Sequence, residues 1–176
     1  MNKQKLEKAI YAAAHLTGSF KLRSGQVSNQ YFDKFQFESN PKLLSAIAKE
    51  LTALLPQDTE IIAGIELGGI PIVTALSLAT GLPVVFVRKE AKTYGTCKLA
   101  EGVDIRGKRV CIIEDVVTTG GQIRLSAKAL AGYGAKLDVV LCVIERGQSG
   151  RTNLEQDGLT LVSLFQMGQA EVRTLQ

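Results

Sequence analysis

What the sequence has little of sets the first limits on its function. Its 176 residues include no tryptophan, a single histidine and three cysteines, Cys97, Cys111 and Cys142. The cysteines are odd in number and widely spaced, with no CxxC pair or His-containing metal spacing, so we expect reduced thiols in a reducing compartment. No apolar run approaches the roughly 20 residues of a membrane span, and the amino terminus lacks an apolar signal segment. The expectation is a cytoplasmic protein without a membrane partner.

The charge of the chain favours a small anionic ligand over a nucleic acid. The formal net charge is +4, and aromatic residues make up only 6% of the sequence. Lysine and arginine are interspersed with acidic residues, and no basic arm or helix-turn-helix pattern is present, so nucleic-acid binding is not indicated. At this length we expect one domain over residues 1–176, able to bury about 70% of the surface that its unfolded chain exposes.

The amino-terminal part has helical and hairpin patterns. Apolar residues at helical spacing predict helices over residues 3–16 and from Pro41 to just before Pro56. Between them, turn residues at Ser24 and Gly25 and alternating aromatics predict a small hairpin or hood within about residues 18–40. The aromatics of this run are Tyr31, Phe32, Phe35 and Phe37. His15, near the end of the first helix, is interpreted as a helix-terminus residue.

The rest of the chain alternates strand and helix patterns. Short runs rich in Val and Ile predict buried parallel strands at residues 60–65, 83–87, 109–113 and 137–144. Helices are predicted over residues 71–79 and 122–131, ending at Gly81 and Gly132. This alternation predicts an α/β fold with a mostly parallel sheet flanked by helices. Residues 89–107 lack periodicity and are expected to form a flexible loop over a site.

The most informative motif is residues 110–122, VCIIEDVVTTGGQ. An apolar strand is followed by Glu114 and Asp115, and then by hydroxyl and glycine residues where a helix should begin. A phosphate suits this turn for three reasons. The start of a helix offers free N–H groups, glycine lets the backbone approach closely, and the threonine hydroxyls donate hydrogen bonds. Carboxylates repel phosphate but accept hydrogen bonds from ribose hydroxyls, or bind magnesium shared with the ligand. A ligand with a sugar beside a phosphate suits both the acidic pair and the turn that follows it.

Two further turns follow predicted strands at the same edge of the sheet, where open α/β sheets bind ligands. The first, residues 64–71, has paired glycines and Pro71 at a helix start, which favours an anion-binding nest. The second, residues 87–95, carries Arg88, Lys89 and Lys92 ahead of a glycine-containing loop. Three cations there are able to close over a pyrophosphate, although each turn by itself is also compatible with an ordinary connection or surface charge.

Residues 110–122 resemble the motif of type I phosphoribosyltransferases that binds 5-phosphoribosyl-1-pyrophosphate (PRPP). The string RKEAK followed by an aromatic residue and glycine resembles the orotate phosphoribosyltransferases, and the similarity extends over nearly the whole chain. The resemblance implies the type I phosphoribosyltransferase fold with a small amino-terminal hood. The implied reaction converts orotate and PRPP to orotidine 5′-monophosphate and pyrophosphate, in pyrimidine biosynthesis.

The resemblance also implies roles for individual residues. Lys92, Glu114 and Asp115 would take part in catalysis. The pyrophosphate loop would be Glu66, Leu67, Gly68 and Gly69. PRPP would be bound by Arg88, Lys89, Lys92, Tyr94, Glu114, Asp115, Val116, Val117, Thr118, Thr119, Gly120, Gly121 and Gln122. Orotate would be bound by Arg23, Tyr31, Phe32, Thr118 and Arg146. Mg²⁺ would enter with PRPP without direct protein ligands, and a homodimer would share the flexible loop between subunits.

The sequence departs from the family pattern at four positions. Tyr94 replaces a usual histidine, Gly68 a frequent lysine, and Glu114 and Glu145 the usual aspartates. Two alternatives therefore stay open. One is a phosphoribosyltransferase for another base, such as a purine, and the other is a PRPP-sensing regulator without turnover. Arg146 at the end of its strand favours an acidic base, since a guanidinium pairs with a carboxylate in bidentate fashion.

Overall fold

The structure is a computed structural model that describes residues 1–22, 25–90 and 99–167. Three predicted site residues lie outside the described residues: Arg23, Lys92 and Tyr94. Cys97 and the turn residue Ser24 lie outside them as well.

The amino-terminal segment packs helices around a two-stranded hairpin. Its elements are α1 (Lys3–Ala14), β1 (His15–Lys21), β2 (Val27–Phe32), α2 (Phe35–Glu38) and α3 (Pro41–Thr52). Asn40 caps α3 by accepting hydrogen bonds from the backbone N–H groups of Lys42 and Leu43, with Pro41 in the first turn. The predicted hairpin is confirmed, but it ends at Phe32. Phe35 and Phe37, predicted as part of its aromatic alternation, lie in the single turn of α2.

A six-stranded sheet forms the centre of the molecule. Its strands are β3 (Ile61–Ile65), β4 (Val84–Val87), β5 (Ala100–Gly102), β6 (Val110–Val117), β7 (Val139–Arg146) and β8 (Thr160–Met167). Their spatial order is β5-β4-β3-β6-β7-β8, and only β5 at the edge is antiparallel. The predicted α/β fold with a mostly parallel sheet is therefore confirmed.

Helices cover both faces of this sheet, as buried parallel strands require. The connecting helices are α4 (Gly69–Thr80), α5 (Gly121–Gly132) and α6 (Ser149–Gln156). One hydrophobic cluster joins α1, α3 and α4 to one face, through buried residues such as Ile47, Ile72 and Ile113. The other joins α5 and α6 to the opposite face, through residues such as Ile112, Leu130 and Leu154.

Several boundaries differ from the predictions. The strand predicted to end at Ile113 continues as β6 to Val117, because its ladder with β7 continues to the pair Val117 and Glu145. Helix α5, by contrast, ends at Gly132 as predicted, and Gly134 after it has a positive φ of 89°. Part of the aperiodic residues 89–107 forms β5, which pairs with β4. Helix α6 and strand β8 were not predicted.

The topology places the candidate site at one end of the sheet. From β3 the chain passes through α4 to β4 on one side, whereas β6 lies on the other side of β3. Ligands of open α/β sheets bind at such a reversal, beyond the carboxyl ends of the strands. Here those ends lead to Glu66 and Gly68 after β3 and to Thr118 after β6. Within the described ranges, no helix has the length and apolar character needed to cross a membrane.

Candidate active site

The acidic pair of β6 is buried. Asp115 is inaccessible to solvent and Glu114 is 9% exposed, because both belong to the central strand and not to the turn after it. Glu114 Oε1 accepts a hydrogen bond from the backbone N–H of Asp115 at 3.1 Å. A buried carboxylate is costly unless a cation or hydrogen-bond donors surround it. The partners of this pair therefore determine its chemistry.

Two residues of the hood supply those partners. The ammonium of Lys34 forms an ion pair with Asp115 Oδ2. Glu38, 3% exposed, buries its carboxyl beside Asp115, and neither oxygen has a hydrogen-bond partner among the described residues. Lys34 precedes α2 and Glu38 ends it, and residues four apart on a helix share one face. Both side chains thereby reach the end of β6 from the same side.

The side chains of Lys34, Glu38, Glu114 and Asp115 form one cluster, in which the pKa values of the three carboxyls shift in different directions. Burial and the charge of Asp115 raise the pKa of Glu38 to about 9. Burial and Asp115 likewise raise the pKa of Glu114 well above its ordinary value. Burial would also raise the pKa of Asp115, but Glu38 and the Lys34 ammonium outweigh it and lower that pKa. Among the three carboxyls, the surroundings therefore favour the ionised form for Asp115, beside the Lys34 ammonium, and the protonated form for Glu38 and Glu114.

The loop after β3 lies directly against this cluster. A Cβ atom on Gly68 would overlap Asp115 Oδ2 and would lie 3.0 Å from Glu38 Oε1. A Cβ atom on Gly69 would lie 2.7 Å from the carbonyl oxygen of Ile113. Gly68 has ordinary helical backbone angles, with φ of −68°, so the two glycines serve close approach and not an unusual conformation. The peptide bond between Glu66 and Leu67 is cis.

The turn after β6 is fixed from behind by α6. The carbonyl oxygen of Thr118 accepts a hydrogen bond from Ser149 Oγ at 3.2 Å, and that of Thr119 accepts one from Asn153 Nδ2 at 3.0 Å. A Cβ atom on Gly150 would lie 2.6 Å from the Thr118 carbonyl oxygen, so glycine allows α6 to pack this closely. Gly120, with φ of 72°, turns the chain into α5.

This arrangement occupies the carbonyl groups of the turn and leaves its N–H groups at the start of α5 for an anion. The hydroxyl-bearing residues Thr118 and Thr119 are exposed there, as is Gly121. Gln122 directs its side-chain amide to Ser126 Oγ at 3.4 Å, within the helix. The turn therefore has the properties of a phosphate site next to the acidic cluster.

The cationic turn after β4 is connected to the loop after β3. The backbone N–H of Lys89 donates a hydrogen bond to Glu66 Oε1 at 2.6 Å. The Nε atom of Arg88 lies 3.6 Å from Glu101 Oε1. The backbone N–H of Arg88 donates a hydrogen bond to the carbonyl oxygen of Leu99. Glu66 therefore has a structural partner that its glycine-rich setting did not predict.

Phe32 and Arg146 form a second wall of the site. Arg146 is the last residue of β7, as predicted, and its guanidinium lies 5.8 Å from the centroid of the Phe32 ring. Arg146 Nε is buried without a hydrogen-bond partner among the described residues, and burial lowers the pKa of this guanidinium. A buried guanidinium with unused donors favours an anionic or carbonyl-bearing ligand.

Tyr31 does not share this wall. Its ring stacks on Phe20, with centroids 5.4 Å apart, and it is 41% exposed. Neighbouring residues of a strand point to opposite faces, so Tyr31 is directed away from the side on which Phe32 meets Arg146. Tyr31, Phe32 and Arg146 were all predicted to bind orotate. The structure brings Phe32 and Arg146 together and leaves Tyr31 apart.

The residue before Arg146 belongs to a closed network. Glu145, 2% exposed, accepts two hydrogen bonds from Arg151, at 2.9 and 2.6 Å. It also accepts one from Ser163 at 2.9 Å and one from Gln166 at 3.1 Å. Burial would raise the pKa of Glu145, but these donors outweigh it and lower that pKa. The glutamate in place of the usual aspartate thus connects β7 to α6 and β8.

The sequence patterns missed Lys34 and Glu38. Both lie in the run that was interpreted as hairpin aromatics, YFDKFQFE, and their four-residue spacing was the available signal. A lysine and a glutamate one helical turn apart normally indicate a solvated ion pair. Only the tertiary contact with β6 reveals that both instead face Asp115.

Comparisons with known proteins agree with this geometry. The family model of the phosphoribosyl transferase domain matches residues 36–160. A protein of Nocardioides sp. described as orotate phosphoribosyltransferase is 53% identical over 150 residues, which cover 85% of this chain and 84% of that protein.

Two solved structures are also similar. The orotate phosphoribosyltransferase of Mycobacterium tuberculosis superposes with a TM-score of 0.85 at 26% identity, covering 94% of this chain and 96% of the other. That of Aeropyrum pernix gives a TM-score of 0.79 at 30% identity, covering 98% and 97%.

Proposed function

Because this chain belongs to the orotate phosphoribosyltransferase family, we propose that it transfers the 5-phosphoribosyl group of PRPP to orotate. The products are orotidine 5′-monophosphate and pyrophosphate. One observation carries the proposal: the buried carboxylate of Asp115 lies between the glycine loop after β3 and the phosphate-binding turn after β6. Ribose hydroxyls, a pyrophosphate and a 5′-phosphate are the groups that these three features suit.

The turn formed by Thr118, Thr119, Gly120 and Gly121 is the 5′-phosphate site of this proposal. Its carbonyl groups are held by Ser149 and Asn153, so its N–H groups keep their positions when an anion binds. A preformed donor set loses little entropy on binding and places the ribose ring at a fixed distance from the sheet. The anomeric carbon is thereby directed toward the space between Gly68 and Arg146.

Asp115 and Glu114 hold the ribose hydroxyls in this proposal. Asp115, ionised in a buried setting, accepts from a hydroxyl and stabilises the positive charge that develops on the ribose as the anomeric C–O bond lengthens. The raised pKa of Glu114 favours the protonated acid before the ligand arrives, and this form offers a carbonyl oxygen as acceptor and an O–H as donor. Catalysis then consists mainly of positioning and electrostatic stabilisation.

Mg²⁺ is proposed as the cation that accompanies PRPP. The described residues contain no cluster of three or more His, Cys, Asp or Glu side chains suited to a metal ion. The ionised Asp115 beside Gly68 would reach the ion only through the ribose hydroxyls or through water, because magnesium keeps several of its waters. When bound, the ion supplies positive charge to the departing pyrophosphate.

The leaving group is proposed to lie between the loop after β3, Glu66 to Gly69, and the cationic residues after β4. Lys89 N–H holds Glu66, which ties these two segments together. Lys92 and Tyr94, outside the described residues, are proposed to reach the pyrophosphate when the loop closes and excludes water. The proposal includes a homodimer in which that loop serves the neighbouring subunit, and a cytoplasmic location, which the free thiols of Cys111 and Cys142 support.

Arg146 is the proposed determinant of the base. Its guanidinium has unused donors beside the Phe32 ring, and orotate offers a carboxylate and a flat ring. An adenine ring has no carboxylate and would leave the guanidinium without its bidentate partner. The observed pairing therefore favours orotate over a purine.

Pyrophosphate release from PRPP and Mg²⁺ tests the proposal, with orotate, uracil, adenine and xanthine as separate acceptors. We expect release to depend on orotate. Release with a purine instead would overturn the base assignment, and binding of PRPP without release with any base would indicate the regulator.

Arg146→Gln sharpens the assignment of the base. Loss of a charge-assisted bidentate pair should raise KM for orotate on the order of 10-fold or more, while KM for PRPP changes by less than about 3-fold. Arg106→Gln, a change of an exposed arginine away from the site, is the matched control. Equal rises in both KM values would argue against a role for Arg146 in base recognition.

A further inference from the structure

We propose that Lys34, in the hood, supplies a further cation to the pyrophosphate subsite of this chain, in addition to the cationic residues after β4. The inference rests on the proposed function, because it assigns a residue to the leaving group of the same reaction. It concerns a residue that the sequence motifs did not indicate, and it explains how the loop functions with Gly68 where many relatives carry lysine.

The loop has no room for a side chain at position 68. A Cβ atom there would overlap Asp115 Oδ2 and lie 3.0 Å from Glu38 Oε1, inside a cluster that is buried. A lysine at this position would therefore displace the carboxylate that the ribose needs. A side-chain cation at the Asp115 end of the subsite must therefore come from an element other than this loop.

Lys34 reaches the same point from the opposite side. Its ammonium contacts Asp115 Oδ2, the atom that a side chain at position 68 would meet first. The space that the loop leaves free by carrying glycine holds the Asp115 carboxylate, and the ammonium pairs with that carboxylate. Among the described residues, Lys34 is the cation that forms an ion pair with Asp115.

The other described cations nearby are placed differently. Arg88 lies against Glu101 beyond the edge of the loop, and Lys89 is exposed and uses its backbone N–H for Glu66. Lys34 has a side chain that is 36% exposed, whereas Asp115 beside it is almost wholly enclosed. The lysine therefore connects the buried carboxylate to the open side of the cleft, where an incoming pyrophosphate would lie.

The charges of the cluster allow an exchange of partners. Before the ligand binds, the ammonium pairs with Asp115, which is the one of the three carboxyls whose pKa is lowered. When ribose hydroxyls donate hydrogen bonds to Asp115, they replace the donation from Lys34. The ammonium is then free to turn on its flexible stem toward the pyrophosphate oxygens.

Two fragments of PRPP separate this role from a general effect on the site. Calorimetric titration of the full chain with magnesium pyrophosphate reports on the leaving-group subsite, and titration with ribose 5-phosphate reports on Asp115 and the phosphate turn. For Lys34→Met we expect the Kd for magnesium pyrophosphate to rise on the order of 10-fold or more, as for loss of a charge-assisted hydrogen bond. The Kd for ribose 5-phosphate should change by less than about 3-fold.

Matched variants provide the controls. Lys34→Arg keeps the charge and should retain most of the pyrophosphate affinity. Lys42→Met removes an exposed charge from α3 and should leave both Kd values unchanged. Melting temperatures of the variants, measured alongside, show that each is folded.

Three results would overturn the inference. They are an unchanged pyrophosphate affinity in Lys34→Met, an equal weakening for both fragments, and a wild-type chain that does not bind magnesium pyrophosphate. Failure of the proposed function looks different. In that case the wild type binds magnesium pyrophosphate, Lys34→Met weakens this binding, and yet no base supports pyrophosphate release from PRPP.

Discussion

Two buried acidic residues lie at the carboxyl ends of neighbouring strands, Asp115 on β6 and Glu145 on β7. Both are almost inaccessible to solvent, and both have a lowered pKa. Their surroundings differ in the number of donors. Glu145 accepts hydrogen bonds from Arg151, Ser163 and Gln166, so both of its carboxylate oxygens have donors inside the protein. Asp115 accepts a hydrogen bond from the backbone N–H of Val116 and pairs with one partly exposed lysine, beside the carboxyls of Glu38 and Glu114.

The difference separates a structural carboxylate from one that awaits a ligand. A saturated carboxylate stabilises the fold and has little left to offer a substrate. A carboxylate that lacks donors gains most when ribose hydroxyls arrive, and its cation is available for another anion. The same strand register that makes both residues buried therefore produces two functions, through the elements packed against each.

The largest expected effect is on activity, from Asp115→Asn. Loss of the charge that stabilises the developing ribose cation should lower kcat/KM for PRPP on the order of 100-fold, or about 3 kcal/mol. Steady-state kinetics with PRPP and orotate measure it. The melting temperature should change by no more than about 4 °C, because removing a costly buried charge offsets the lost ion pair. An unchanged kcat/KM would remove Asp115 from the ribose site.

The next effect is on stability, from Glu145→Gln. The amide can no longer accept the bidentate pair from Arg151, so the free energy of unfolding should fall by about 2 kcal/mol, or roughly 4–8 °C in Tm. Thermal denaturation followed by circular dichroism measures it. kcat/KM for PRPP at 25 °C should stay within about 3-fold of wild type.

The comparison of the two carboxylates would fail if Glu145→Gln lost activity as strongly as Asp115→Asn while keeping its stability. Such a result would place Glu145 in the ligand site.

The smallest expected effect is on the pH dependence of stability, which should have opposite signs for Glu38, beside Asp115, and for Glu145. The pKa of Glu38 is raised from 4.5 to about 9, so its contribution is full below pH 4.5 and is lost as the pH rises toward 9. The pKa of Glu145 is lowered, so its contribution is present above its ordinary pKa of 4.5 and is lost as the pH falls through the lowered value.

The Tm difference between Glu38→Gln and wild type should therefore grow in favour of the variant from pH 5 to pH 8, with Glu114 and Asp115 taking up part of the proton change. Glu145→Gln should lose less Tm than wild type when the pH falls below 4.5. Melting curves of the three proteins across this range measure both slopes. A Tm difference between Glu38→Gln and wild type that does not grow with pH would mean that Glu38 is ionised in the folded chain.

Elements with a local signature were predictable. Pro41 and Asn40 mark the start of α3, Gly81 ends α4 with φ of 76°, and the Val- and Ile-rich runs became β3, β4, β6 and β7. The position of Arg146 followed because it ends an apolar run. These signals work because capping, glycine conformation and strand burial act over a few residues.

What depended on tertiary contact was not predictable. Helix α6 has few apolar residues, and Gly150 is there because the Thr118 carbonyl lies 2.6 Å from where its Cβ would be. Glu114 appeared as one of two carboxylates, but the continuation of β6 buries it and raises its pKa. Lys34 and Glu38 carry no local signature of a site. The contact of Lys34 with Asp115, across from α2 to β6, shows that they belong to it. Protonation and partner choice at the site thus follow from packing and not from spacing.

The measurement that tests the central claim most directly is identification of the nucleotide formed when the protein is mixed with PRPP, Mg²⁺ and equal amounts of orotate, uracil and adenine. Chromatography with mass detection distinguishes the products, and Asp115→Asn provides the matched background. We expect orotidine 5′-monophosphate with wild type, and its formation should be reduced on the order of 100-fold in the variant. A uridine or adenosine nucleotide as the main product, or equal product from both proteins, would contradict it.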